Sequence, residues 1–245
     1  MYEQHGDFHP PDDEAVLWQY MDISKFLALL QHHALHFSRA DLLDDPFEGS
    51  YGALNPSQIM KAFDDPPPKL VSTLADGDFE NRRKLIYVNC WHKSDHESEA
   101  MWRLYASKQA GIAVCTSVAA LKESVAADPR PVHIGEVMYM NYSKQFISSP
   151  KDFLPFLRKR QGFRFDQEVR AICLQERSDN GDDQDGWRNQ PPGINVKINL
   201  TTLITEVVIA PSAQDWLAEV VQEVASRYGL TTPISKSELA GEPNW

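Results

Sequence analysis

Two hydrophobic periods interleave along the chain. "VLWQY" (16–20) is a short β-prone run. In the segment after it, Ile23, Phe26, Leu27 and Leu30 recur at i, i+3, i+4 and i+7, which predicts a helix with one apolar stripe and Asp22 or Ser24 as its cap. "ALHFSR" (34–39) returns to period two and places Leu35, Phe37 and Arg39 on one strand face. "LIYVNCW" (85–91), "GIAVCT" (111–116), "VHIGEVMYMNY" (132–142), "EVRAICL" (168–174), "INVKI" (194–198) and "EVVIA" (206–210) also read as strands, and "PIS" (233–235) as an edge strand.

Helical spacing covers 69–84, 97–106, 118–127, 150–160 and 213–227, with Thr116 or Ser117 capping the third and Ser212 the last. Asn55-Pro56 opens a short helix, because proline suits a first helical turn. "DDPPP" (64–68) is a break, and "ERSDNGDDQDG" (176–186) a solvated acidic loop. Strands arrive both with and without intervening helices, which predicts one α+β domain with a mixed, mostly antiparallel sheet flanked by helices. Residues 1–14 and 176–192 are expected to be flexible.

Composition narrows the class. A hydrophobic fraction of 42% and six tryptophans over 245 residues suffice for a core and exclude global disorder. No apolar run reaches the roughly 18–20 residues a membrane span needs. The start "MYEQHGDFHPPDDEA" lacks the basic and apolar regions of a secretion signal. Cys90, Cys115 and Cys173 each lie in an apolar run, which reads as buried reduced thiols and a cytoplasmic setting. The net charge of −11 repels nucleic-acid phosphates and argues against a nonspecific nucleic-acid binder, although "RKRQGFRF" (158–165) interleaves basic and aromatic residues.

Three constellations set charge on elements that a core should bury. In "FSRADLLDDPFEG" (37–49), Arg39 continues a core face and needs a carboxylate or a ligand anion. Asp45 and Glu48 are candidate partners, Phe47 an anchor, and Gly49 supplies a turn. In "CWHKSDHESEAMWRLY" (90–105), Glu97, Met101 and Tyr105 are four apart on a helix, with Trp102 and Ser98 beside them. That face is either core or the floor of a site for a flat ligand. Cys90, His92 and His96 lack a fourth zinc ligand, so no metal is expected. In "FRFDQEVRAICL" (163–174), Glu168 and Arg170 begin one face of a strand that ends apolar. A carboxylate there suits general acid–base chemistry or a pair closing a sheet edge, and Glu168 could also pair across the fold with Arg39, and Arg170 with Asp45 or Glu48.

These three stretches, with "KR" at 159–160, "LWQYMDISKFLALL" and "NLTTLITEVVIAPSAQDW", resemble the bacterial family named domain of unknown function 2971, over about 17–239. That resemblance implies a cytoplasmic protein and supplies no reaction. A more distant resemblance, to the ADP-ribosyltransferase plan, lies in strand, short helix, second strand and a late strand opening with glutamate. It implies a split sheet with NAD in the cleft and Glu168 on the ribose, and Asp166-Gln167-Glu168 is similar to the acid-x-Glu pattern of one branch. It gives Ser38 the role of packing near the cofactor. The first strand reads Trp18-Gln19-Tyr20, with neither His nor Arg where that plan has one. Tyr20 is then that strand's contribution, and Arg39 substitutes for the missing base. Arg39 or Arg170 would hold the pyrophosphate, and Tyr105, Trp102 or Trp91 would flank the cationic nicotinamide ring.

Three functions follow. The first is an NAD-consuming enzyme, a transferase or glycohydrolase with NAD as co-substrate. The second is a non-enzymatic interaction or sensor domain that meets a protein partner, its charges forming structural networks. The third is a metal-dependent nuclease or phosphoesterase using Asp45, Glu48 and Glu168 as oxygen ligands.

Overall fold

The computed structural model describes residues 1–50, 79–145, 147, 153–175 and 190–241. The helix expected from Asn55-Pro56, the break at 64–68, residues 69–78 of the next helix and the acidic loop at 176–186 lie outside the described residues.

The strands are β1 (Val16–Asp22), β2 (Ala34–Arg39), β3 (Ile86–Lys93), β4 (Gly111–Ser117), β5 (His133–Glu136), β6 (Met138–Met140), β7 (Arg158–Arg160), β8 (Glu168–Leu174), β9 (Gly193–Lys197), β10 (Glu206–Ile209) and β11 (Ile234–Lys236). The helices are α1 (Ile23–His32), α2 (Phe79–Arg83), α3 (Glu99–Tyr105), α4 (Val118–Ser124), α5 (Leu200–Leu203) and α6 (Asp215–Arg227). The fold is α+β. The main sheet runs β11-β10-β4-β1-β3-β2-β9, with β8 also on β3 and β5 on β8, and all its pairs are antiparallel except β10–β11.

The strand that organises this sheet is β3. One of its edges pairs with β8 along its length, from Ile86↔Leu174 to His92↔Glu168. Its other edge is shared. β1 pairs there at Leu17↔Lys93 and Trp18↔His92, and β2 at Ser38↔Val88 and Arg39↔Tyr87. Between these two short ladders β1 and β2 diverge, with α1 joining them, and the sheet is split beside Asn89–Trp91. Side chains bridge where the backbone does not: Gln19 Nε2 donates to the Cys90 carbonyl at 3.1 Å, and Asn89 Nδ2 to the His36 carbonyl at 2.9 Å.

Strand alternation sorts the side chains. Tyr87, Trp91, Val169, Ala171 and Cys173 join Leu35 and Phe37 in the larger core, with Phe26, Leu29 and Leu30 of α1. Val88 and Ile172, on the opposite face, pack with Phe8, Ala40, Phe153, Phe156 and Leu157 in a smaller core. At about 25 cal/mol per Å² of apolar surface removed from water, each fully buried Phe or Leu here contributes roughly 1.5–3 kcal/mol.

Several expectations need correction. Leu27 is exposed, because α1 turns Leu29 rather than Leu27 onto the core beside Phe26 and Leu30. Of the helix expected over 150–160, residues 150–152 lie outside the described residues, and the rest is instead a tight turn, Leu154–Leu157, followed by β7. Pro155 suits the start of such a turn, and Arg158–Arg160 then pair in parallel with β6. The long strand expected over 132–142 breaks at Val137, whose N–H donates to the Glu168 carbonyl at 2.9 Å while the chain turns away to form β6. α6 begins two residues later than expected, with Gln214 rather than Ser212 at its cap position, and Ser212 Oγ donates to the Lys108 carbonyl. Near the N-terminus, Tyr2 bridges to Val132 and Phe8 is buried in the smaller core.

Candidate functional site

The split opens into a cavity of about 720 Å³. Antiparallel partners project to the same face, so the register sets which side chains meet there. Trp18 and His92 are partners, as are His92 and Glu168, Cys90 and Arg170, and Ser38 and Val88. Trp18 and Tyr20 of β1, Cys90 and His92 of β3, His36 and Ser38 of β2, and Glu168 and Arg170 of β8 thus share one face, and all eight line the cavity.

A buried ion network forms its charged wall. Arg170 Nε donates to Glu168 Oε1 at 2.6 Å, and its terminal NH2 to Oε2 at 3.1 Å. The same guanidinium pairs with Glu48 and donates to the Phe156 carbonyl at 2.7 Å. Lys159 Nζ donates to Glu168 Oε2 at 3.0 Å and to Asp166 Oδ2 at 2.6 Å, with Glu48 at 3.7 Å. Arg160 binds Asp45 at 2.9 Å. Three carboxylates, Glu48, Asp166 and Glu168, therefore face two buried cations, Lys159 and Arg170.

Backbone geometry lets both Asp166 and Glu168 turn inward. Ordinary alternation would also place both on one side, but a tight turn ends at Asp166, and Gln167 takes a left-handed conformation (φ 39°) that swings the chain into β8. A non-glycine residue there costs on the order of 1–3 kcal/mol. The result seats both carboxylates on Lys159, itself buried between the half-buried Arg158 and Arg160.

Electrostatics keep Glu168 charged. Burial alone would raise its pKa, yet the adjoining Arg170 and Lys159 outweigh that and hold it down to about 2. Lys159 is driven above the usual lysine range: burial opposes its charge, and Glu168 and Glu48 more than offset that. Glu48 moves the other way, because burial raises it more than Arg170 lowers it. The Cys90 thiol, pushed well up by burial and then by the Glu168 charge, stays protonated and able to donate to that carboxylate.

Aromatic side chains also line the cavity. Tyr20 packs edge-on against Trp102 with ring centroids 4.9 Å apart and lies roughly parallel to Trp18 at 6.2 Å. Tyr105 is half-exposed and donates to Asp166 Oδ1 at 3.1 Å, and burial followed by that carboxylate raises its pKa. Trp91 is buried, with its indole N–H on Asn89 Oδ1 at 2.7 Å.

Of the residues singled out in the sequence, Glu168, Ser38, Tyr105, Trp91, Arg170 and Tyr20 line one cavity. Trp102 stands behind Tyr20, its indole N–H donating to Glu97 Oε2 at 3.0 Å. Glu97 turns from the cavity to receive Ser237 Oγ and the Glu238 N–H. Arg39 sits on the opposite sheet face, opposite Tyr87, where it donates to Asp41 at 2.6 Å and to the Gln190 carbonyl. Its partner is therefore Asp41, while the expected partners Asp45 and Glu48 reach Arg160 and Arg170. The carboxylates weighed as metal ligands, Asp45, Glu48 and Glu168, all face basic side chains. Lys159 was visible only as half of a basic pair; β7's alternation, unseen in the sequence, is what buries it. Trp18, Lys25, His32, His36 and Asn195 also line the cavity, and no local pattern marked them.

No family model matches the chain, and no curated protein matches it. Among solved structures, it is similar to Thermus sp. 2.9 DarT in complex with NAD+, at 9% identity and a TM-score of 0.37, over 96% of this chain and 100% of that one. It is similar also to the same protein in complex with ADP-ribosylated ssDNA, at 8% identity and a TM-score of 0.35, over 94% of this chain and 97% of that one. Likeness at these scores assigns no residue a role.

Proposed function

We propose that the cavity binds NAD and that the protein cleaves its nicotinamide–ribose bond, as a transferase or glycohydrolase. One observation carries this reading: a carboxylate held ionised, Glu168, lines the same cavity of about 720 Å³ as the aromatic side chains Trp18, Tyr20 and Tyr105. Ligand sites are typically about 300–1,000 Å³, so the space suits a dinucleotide. Trp18, Tyr20 and Tyr105 offer ring faces to a cationic nicotinamide. The excess of buried carboxylates over cations favours the same positive charge.

In this reading Glu168 orients the ribose and opposes the positive charge that grows on C1′ as nicotinamide leaves with the bonding electron pair. Water or a target nucleophile then bonds to C1′ and loses its proton to solvent. Arg170, Lys159 and Cys90 act through Glu168 rather than on the ligand: they keep it charged and fix its rotamer.

Incubation with NAD and chromatography of free nicotinamide test the reading. Release is expected from the native protein and a loss of at least a hundredfold in Glu168→Gln. Absence of release, with NAD bound equally by both proteins, would overturn it.

A second reading is favoured by one observation: each charge of the network already has a charged partner. Under it the protein is a non-enzymatic interaction domain and the network only holds β7, β8 and the loop after β2 together. Glu168→Gln would then lower stability and change no ligand's affinity.

A further inference from the structure

Most charged residues lining the cavity are ion-paired with one another. Lys25 and Asp44 are different: each lines the cavity and makes no ion pair among the described residues, and Lys25 is the cation. It lies on α1, on the helix that joins the two diverging strands, seven residues before His32, which lines the cavity too. Seven residues is close to two helical turns, so both side chains leave the same face about 10 Å apart along the axis. His36 follows on β2. Its ring Nδ1 contacts Asn195 Oδ1 at 3.3 Å. The ring rests on Gly193, where an added Cβ would lie 2.3–2.4 Å from Cε1 and Nε2. A side chain at 193 would displace the imidazole, so glycine there gives His36 its seat.

We infer that Lys25, His32 and His36 form an anion subsite for the diphosphate of a dinucleotide, at the α1 end of the cavity. The inference rests on the NAD reading and deepens it. Among the described residues the cavity is polarised, with surplus carboxylate at the β8 end and basic groups that make no ion pair at the α1 end. A ligand with a cationic ring and an anionic diphosphate matches that polarity in one orientation only. Lysine can meet phosphate as a point charge, and imidazole and the Asn195 amide can donate to its oxygens.

The test uses calorimetric titration of the full chain with ADP and with nicotinamide, alongside nicotinamide release from NAD. Lys25→Ala and His36→Ala alter exposed side chains, and circular dichroism verifies their folding. ADP is expected to bind the native protein, each variant to lose about tenfold or more in ADP affinity, and nicotinamide affinity to stay unchanged. Equal ADP affinity in the folded variants overturns the subsite, as does a native protein that binds no ADP. The two readings separate cleanly. ADP binding that depends on Lys25 without nicotinamide release sinks the enzyme and keeps the subsite. Release at an unchanged KM in both variants does the reverse.

Discussion

Arg170 grips both carboxylate oxygens of Glu168 although the two residues share one strand face, two positions apart. Such a clamp closes because Glu168 starts the strand and can fold back over its neighbour. Removing one member of a buried pair leaves the other uncompensated, at about 3–5 kcal/mol. Arg170→Met is expected to cost at least that much, since it strands Glu48 and Glu168 together. Glu168→Gln should cost less, because Glu48 still faces Arg170 and Lys159. Urea unfolding of both variants measures the order, and a smaller loss for Arg170→Met would contradict this account.

The network predicts a specific response to acid. Glu168 has a folded pKa lowered to about 2 from an ordinary 4.5, so its contribution is full above about pH 4.5 and is lost as pH falls through 2. Glu48 is raised, so its contribution is present below its unfolded pKa and fades as pH rises through the folded one. The stability gap between native protein and Glu168→Gln should therefore narrow from pH 5 to 2. Relative to Glu48→Gln, the native protein should instead lose stability as pH rises above about 4.5. Denaturant melts at four or five pH values would show both slopes.

Gly49 ends the loop that carries Asp45 and Glu48 to their partners. Its φ is +78°, and an added Cβ would lie 2.6 Å from the Phe156 ring. Gly49→Ala meets both backbone strain and overpacking, which together cost about 2–4 kcal/mol. Because Phe156 also supplies the carbonyl that Arg170 binds, the variant should weaken the network as well. A thermal shift of less than one or two degrees would show that the ring yields freely.

Arg39→Ala separates the two faces of β2. The pair with Asp41 is largely buried and worth about 1 kcal/mol, so a modest loss of stability is expected. NAD affinity, measured by titration, should not change. A tenfold loss of affinity would mean that a ligand reaches the far side of the sheet.

Strands were legible wherever period two ran over five or more apolar positions, as in β3, β4 and β8. Glu168 and Arg170 could be placed on one face from the sequence, because alternation alone decides that. The Arg170–Glu48 pair is one of two long-range alternatives that the charges suggest, and the structure selects it over Asp45, whereas Lys159 could not be placed because its burial depends on the route of β7. The helix expected over 150–160 failed because Phe153, Phe156 and Leu157 satisfy a helical spacing equally well in a tight turn over the smaller core. Arg39 was assigned the correct face, and its satisfaction by Asp41, two residues on, removed the need for a distant partner. Lys25 and His36 escaped notice since each is an ordinary exposed residue until β1 and β2 diverge.

That divergence has a consequence for solubility. A strand edge without a backbone ladder normally lies at the border of a sheet, where it invites pairing with another chain. Beside Asn89–Trp91 the vacant edge lies instead in the middle of the sheet, walled by β1, β2 and α1. Its main-chain groups thus remain out of reach of a neighbouring protein's strand, and Gln19 already takes the Cys90 carbonyl. The fold protects the gap in its ladder by enclosing it rather than by blunting it with charge.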